Sequence, residues 1–291
     1  MSEKDKIRKR IEELAQRAFQ NGYVTHTQFL TAAEQADFLE AAGVPAGQAG
    51  VCVRTCASGA SLGALCGTFR GTEWVLYGGW EEAERRVLCF LPDYLDAETF
   101  LAGEEAAPQA VSCMEVRAVN HRFAEPLSHR DYLGALMNLG IERDRIGDIL
   151  AGAADPAQAK GQAMAYLFVM KDNAELIASE LTQIRHTGVT CREVPAAECT
   201  IRPHYEEREG SVSSERLDAV LALVYQLSRA RAQELVEAEQ VFVDGRAAFS
   251  GGYDLKPGSR VSVRGYGKFQ YLGLGARTKK GRFFARVKLW K

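Results

Sequence analysis

The sequence predicts an α+β protein in three parts: an N-terminal α/β domain over residues 1–80, a central domain over 81–205 and a C-terminal domain over 211–291. Three observations carry this. Apolar residues recur at helical spacing in some stretches and in short β-rich runs in others. Glycine turns separate the runs of the first part. Charge also divides unevenly: the net −2 hides 15 Lys or Arg against 7 Asp or Glu from Ser211 to Lys291, while the remaining 210 residues hold 21 against 31. Positive charge is therefore concentrated in one domain.

With 46% hydrophobic residues over 291 positions, the chain can bury substantial cores. No apolar run approaches the roughly 20 residues that span a bilayer. The start MSEKDKIRKRIEEL is charged and has no apolar centre, so neither a membrane span nor a signal peptide is expected and the location is read as cytoplasmic. Seven cysteines (Cys52, Cys56, Cys66, Cys89, Cys113, Cys191 and Cys199) form an odd set with no C-x-x-C pair. They read as reduced, buried thiols, and no metal or other cofactor is expected.

The first helix is predicted over about Asp5 to Asn21, with Ile7, Ile11, Leu14, Ala18 and Phe19 as its apolar face and Gly22 as its stop. The stretch THTQFLTA reads as a turn, with His26 a capping or surface group, before a second helix over about Ala32 to Ala42 that Gly43 ends. Between Gly50 and Trp80, VCVRTC, ALCGTF and TEWVLYGGW read as short strands. Glu81, Glu82, Glu84, Arg85 and Arg86 fall at helical spacing and read as a surface ion-pair cluster. A buried strand, Val87 to Leu91, follows, then a linker rich in Ala, Glu and Pro from about Asp96 to Gln109.

The central domain offers strands at Val111–Val119, Ile146–Leu150, Met164–Met170 and Val189–Val194. Its helices are expected from the capping box Ser128/Asp131 to Gly140, and over Ala174–Ile184. Strand, helix, strand, strand, helix, strand is the split βαβ order shared with RNA-recognition folds. Val111–Val119 has no aromatic residue on which a base could stack. His129 and Arg130 occupy a first helical turn, a place suited to phosphate. No serine or cysteine nucleophile stands at a recognisable spacing from them.

In SSERLDAVLALVYQLSRARAQELVEAEQVFVDG, Leu217, Val220, Leu221 and Val224 mark one helix, with Ser213 or Ser214 as its cap and Glu215 in its first turn. Ser228 caps a second over about Arg229 to Ala238. Arg229 and Arg231 then sit at the positive end of a helix dipole, which is unfavourable unless an anion docks on the same amides. Val241 to Val243 is a strand, Asp244-Gly245 a type I′ turn signal, and Arg260 to Arg264 a further strand. Beyond Asp254 come 11 Lys or Arg and no carboxylate, a surface that counterion release makes attractive to polyphosphate.

The span Ser213 to Phe269 resembles the S-four RNA-binding domain: an arginine-leucine-aspartate start, a serine-arginine at the second helix and a valine-x-valine-x-glycine strand end. The resemblance implies that Arg216, Ser228, Arg229, Arg231 and Lys268 face RNA. With HRDYLGALMNLGIERDRIGDIL in the middle and SVRGYGKF and TKKGR near the end, the whole chain resembles the bacterial YlmH family. That resemblance implies a central RNA-recognition-like domain, a C-terminal S-four domain and a part in ribosome-associated quality control. The implied partners are rRNA and tRNA on a large ribosomal subunit obstructed by peptidyl-tRNA, together with the tailing factor that adds alanines to the stalled chain. Asp244 stands where family members often carry asparagine.

On this reading Arg264, Lys279, Lys280 and Arg282 join the phosphate contacts, and Tyr266 or Phe269 packs on a ribose or base. No catalytic residue is assigned. Two alternatives remain: an RNA-modifying enzyme or synthetase with an appended S-four domain, and an interaction protein with contacts at the division septum. Against the first, GASLGALCG lacks the helix and acidic ribose partner of a dinucleotide fold. The second would use the acidic N-terminal two-thirds as its binding surface.

Overall fold

The computed structural model describes residues 3–44, 63–102, 109–120, 122–152, 164–277 and 281–290. VCVRTC, with Cys52 and Cys56, lies outside them. The chain forms two compact units, the first ending at Arg202 and the second beginning at Pro203.

The first unit opens with α1 (Glu3–Asn21), β1 (Thr25–Leu30), α2 (Ala32–Ala41), β2 (Leu65–Phe69), β3 (Thr72–Tyr77), β4 (Arg86–Phe90) and α3 (Ala97–Ala102). Both helix stops, Gly22 and Gly43, adopt positive φ, 67° and 71°, as a left-handed cap requires. THTQFL is a strand and not a turn. Thr25, Thr27 and Phe29 alternate inward while His26 is exposed, the period-2 burial that a half-buried strand imposes. The strands pair antiparallel in the order β1-β4-β3-β2. β4, expected at the head of the central domain, thus lies in the N-terminal sheet.

The central strands are β5 (Val111–Ala118), β6 (Ile146–Ala151), β7 (Met164–Met170), β8 (Gln183–Ile184) and β9 (Thr187–Val194), with helices α4 (His129–Asn138) and α5 (Ala174–Glu180). α5 ends earlier than expected, and Ile184 belongs to β8. The order β6-β7-β5-β9-β8 is antiparallel throughout. It places the third strand between the first two, the split βαβ topology.

Three cores follow from these faces. Ile11, Ala15, Ala18 and Phe38 of the first two helices pack on Trp74, Leu76, Leu88 and Phe90. Tyr132, Leu136 and Ile177 of α4 and α5 pack on Met114, Val116, Leu167 and Val169. The remaining sheet faces meet each other: Phe29, Val75, Tyr77, Val87 and Phe100 share one cluster with Cys113, Tyr166, Phe168 and Met170. Phe100 comes from α3, inside the expected linker.

Glu81 to Arg86 form no helix. Arg85 donates to the carbonyls of Ile146 (3.0 Å) and Phe29 (3.0 Å). The half-buried Asp148 carboxylate accepts from Trp80 Nε1 (3.0 Å) and the amides of Glu84 (2.7 Å) and Arg85 (3.2 Å). The segment is a joint between the two sheets and not a solvated ion-pair cluster.

The second unit holds β10 (Tyr205–Val212), α6 (Leu217–Tyr225), α7 (Arg229–Glu237), β11 (Val241–Val243), β12 (Arg246–Ala247), β13 (Arg260–Val263), β14 (Gly267–Arg277) and β15 (Phe283–Trp290). Asp244 and Gly245 both have positive φ, 49° and 80°, the requirement of a type I′ turn. Asp244 Oδ1 accepts the Arg260 amide at 2.8 Å, so aspartate serves this turn. The basic tail is a long hairpin inside one sheet of order β10-β15-β14-β13-β11-β12. α6 and α7 lay Leu217, Val220, Val224, Leu235 and Val236 on its inner side, against Phe269, Tyr271, Ala285 and Val287.

Candidate nucleic-acid interface

The site in the second unit is assembled at the start of α6. Arg216 is the cap residue, and neither Ser213 nor Ser214 takes that place. The first helical amides are satisfied by a loop from elsewhere in the sequence: Leu217 N donates to Tyr253 O (2.8 Å) and Asp218 N to Gly251 O (2.9 Å). This buries Asp218, whose side chain is only 8% exposed. Arg216 reaches the carboxylate through Nε (3.2 Å) and Nη2 (2.9 Å), and Arg229 through Nη2 (2.8 Å). Burial works to raise the Asp218 pKa, and the hydrogen bonds and charges of Arg216 and Arg229 outweigh it, holding the group below the ordinary value. One anchored carboxylate therefore fixes two half-exposed arginines, leaving a net positive pair.

Ser228 caps α7 as expected, its Oγ accepting from Arg231 N at 3.1 Å. The Arg231 guanidinium binds Glu234 at 2.8 Å and meets the Tyr266 phenol, and both partners hold its pKa above the ordinary value. Tyr266 sits in the β13–β14 turn with its ring 5.3 Å from that of Tyr225 at the end of α6. Arg264, in the same turn, lies 5.0 Å over the Phe242 ring. Lys268 follows on β14, exposed. Phe269 is fully buried in the core and cannot meet a base, whereas Tyr266 is partly exposed.

Arg282 is not part of this group. It donates to Ser211 O at 2.7 Å, at the far end of the β14–β15 hairpin from Lys268. The strand between them covers roughly 30 Å at about 3.3 Å per residue. Lys279 and Lys280 lie outside the described residues. Arg286 and Lys288 stand opposite Glu209 and Glu207 of β10, so the carboxylates absent from the tail sequence are supplied by another strand.

His129 and Arg130 are exposed in the first turn of α4, in the other unit. Asp131 shares that turn, accepting from Ser128 N (2.8 Å) and Oγ (2.7 Å), and Arg185 approaches it at 3.6 Å. An anion docking there would face a carboxylate already in place. The sheet face on which RNA-recognition folds stack bases is closed: Trp80 stacks on Phe168 with centroids 6.3 Å apart. At its rim, Glu115, 2% exposed, binds Arg117 and Arg192 at 2.7 Å each. The arrangement repeats that of Asp218. The sequence places Asp218 in the arginine-leucine-aspartate start without marking its burial, and it does not single out Glu115.

Among known proteins, residues 109–198 match the family model described as "Putative RNA-binding domain in YlmH", and residues 215–261 match the S4 domain. The chain is 30% identical over 210 residues to "Ribosome-associated protein quality control protein P2" of Bacillus subtilis (strain 168), covering 71% of this chain and 74% of that protein. A solved structure, "Cell division protein ylmH from Streptococcus pneumoniae", is similar at a TM-score of 0.41 and 20% identity, over 67% of this chain and 90% of that one. With that identity and coverage of a curated relative, and a YlmH domain in one unit beside an S4 domain in the other, the chain belongs to the YlmH family.

Proposed function

We propose that the protein is a non-enzymatic RNA-binding factor that engages rRNA and tRNA on the large ribosomal subunit carrying peptidyl-tRNA, and that supports C-terminal tailing of the stalled chain. The observation that carries this is the Arg216–Asp218–Arg229 group. Two guanidiniums are held half-exposed by a buried acid, with Arg231, Arg264, Lys268 and Tyr266 on the same unit. Such a surface binds phosphates through positioned, charge-assisted hydrogen bonds. The name of the Bacillus subtilis relative supports the quality-control setting.

The test is sedimentation of the tagged full chain through a sucrose gradient of lysate. Wild-type protein is expected with free large subunits enriched in peptidyl-tRNA. Arg229→Gln combined with Arg231→Glu is expected at the top of the gradient; glutamine is used at 229 because a second carboxylate beside Asp218 would destabilise the fold. Wild-type protein left at the top, or a variant that travels unchanged, overturns the reading. A complex that survives nuclease would move the function to protein contacts, such as those of the septum.

A further inference from the structure

Directly after β12 the chain enters the loop Ala248–Tyr253, and this loop carries two solvent-facing rings. Phe249 is 88% exposed and Tyr253 45%. The loop is fixed in place. Ala248 N donates to Val241 O (2.9 Å), Tyr253 N to Ser250 O (3.1 Å) and Gly252 N to Ser250 Oγ (3.1 Å), while the Gly251 and Tyr253 carbonyls receive the first amides of α6. Ala248, Gly251 and Leu255 are buried. The rings therefore project from a backbone that has no freedom to fold them away.

The backbone of this loop lies against the arginine pair and its carboxylate. A Cβ placed at Gly252 would lie 3.6 Å from Arg216 Nη2, and one at Gly251 would lie 3.2 Å from Asp218 Cβ and 2.0 Å from Gln233 Oε1. Glycine at both positions lets this loop lie directly against the Arg216–Asp218–Arg229 group. Phe249 is two residues from Gly251, at most about 7.6 Å by chain geometry. A lone exposed apolar side chain needs no explanation. Two aromatic rings on a clamped loop beside two positioned guanidiniums are the composition of a platform for single-stranded nucleic acid: stacking for the base, cations for its phosphate.

We infer that the Phe249–Tyr253 loop receives an unpaired RNA nucleotide, its base on the Phe249 ring and its phosphate on Arg216 and Arg229. This rests on the RNA-binding reading above and extends it from phosphate contact to selection of looped over paired RNA. A duplex keeps its bases stacked inside and offers this loop only phosphates.

The experiment uses the full chain and two fluorescently labelled RNAs, a ten-base-pair stem closed by a seven-nucleotide loop and the same stem as a blunt duplex, with affinities read by anisotropy. Phe249→Ala is expected to lose about tenfold on the hairpin, the scale of one base stack, and less than about twofold on the duplex. Phe249→Trp is expected to keep the hairpin affinity. Because the ring is exposed, neither change should move the melting temperature, which is checked. Phe123→Ala, an exposed ring of the first unit, is the control for loss of apolar surface. Equal affinities of wild type and Phe249→Ala on the hairpin, or equal losses on both RNAs, overturn the inference alone. Wild-type protein that binds neither RNA overturns it together with the RNA-binding reading. Unchanged RNA affinity with loss of a nuclease-resistant complex also overturns it and assigns the ring to a protein contact.

Discussion

Asp218 shows how one residue can serve stability and binding together. An arginine on a surface loses side-chain freedom when it grips a phosphate, at about 0.5–1.5 kcal/mol. A carboxylate beneath two of them settles that ordering at folding. Removing the acid leaves two cations facing one another with their partner gone. Asp218→Asn is expected to lower the unfolding free energy by about 1–3 kcal/mol at neutral pH, measured by urea denaturation. The pH dependence has a definite sign. The folded-state pKa of Asp218 lies below its unfolded value of about 3.9. Its stabilisation is therefore fully present above about pH 5 and is lost as pH falls through the lowered folded value. The wild-type urea midpoint should fall more steeply than that of Asp218→Asn between pH 5 and pH 3, and parallel curves would remove Asp218 as the source. Ser228, Arg229 and Arg231 are legible in the sequence because a cap and cations stand out at a helix start, whereas Arg216 enters only through the resemblance to the S-four domain. Asp218 reads there as an ordinary first-turn acid, since only the Gly251 and Tyr253 carbonyls, more than thirty residues on, bury it.

At the scale of elements, periodicity found most helices and strands and could not say which strands pair. A period of two assigns faces, not neighbours. β15 illustrates this: in the sequence its charges stand out and no strand is assigned to it, yet Ala285 and Val287 are fully buried and the strand pairs with β10 on one side and β14 on the other. Ending the chain at Arg277 would open both seams and strip an inner row of the core. The truncated protein is expected to lose amide-exchange protection across β10, β13 and β14 while β5 and β7 keep theirs. Protection surviving in β14 would show that the hairpin is dispensable. In the first unit, the meeting of two sheets was equally hidden, because Trp80 and Phe168 are far apart in sequence. Gly147 marks the closeness: a Cβ there would lie 2.6 Å from Phe29 Cε1 and 3.0 Å from the Phe168 carbonyl oxygen. Gly147→Ala is expected to cost about 1–3 kcal/mol by overpacking, again read by urea denaturation.

For the molecule as a whole, the sequence showed the uneven charge, with an acidic first part and a basic last one, but could not show how the cations are arranged. Eleven positive side chains beyond Asp254 with no carboxylate suggest one continuous polyanion surface. The fold divides them. Arg264 and Lys268 lie at the same end of the sheet as Tyr266, Arg282 lies at the other end, and Arg286 and Lys288 face Glu209 and Glu207. The two arrangements predict different salt responses, because each neutralised phosphate contributes about 0.7–0.9 to the slope of log affinity against log salt. If Arg216, Arg229, Arg231, Arg264 and Lys268 are the contacts, the slope for RNA binding is about −3.5 to −4.5. If Arg277, Arg282, Arg286 and Lys288 join them, it is about −6 to −8. Filter binding of the full chain to one RNA between 50 and 300 mM salt separates the cases. The shallower slope is expected, since Arg286 and Lys288 stand opposite carboxylates of β10 and Arg282 lies at the other end of the sheet. The steeper one would mean that the strand pairs of β10 and β15 open toward RNA and that the whole hairpin, not the helix pair and its turn, is the binding surface.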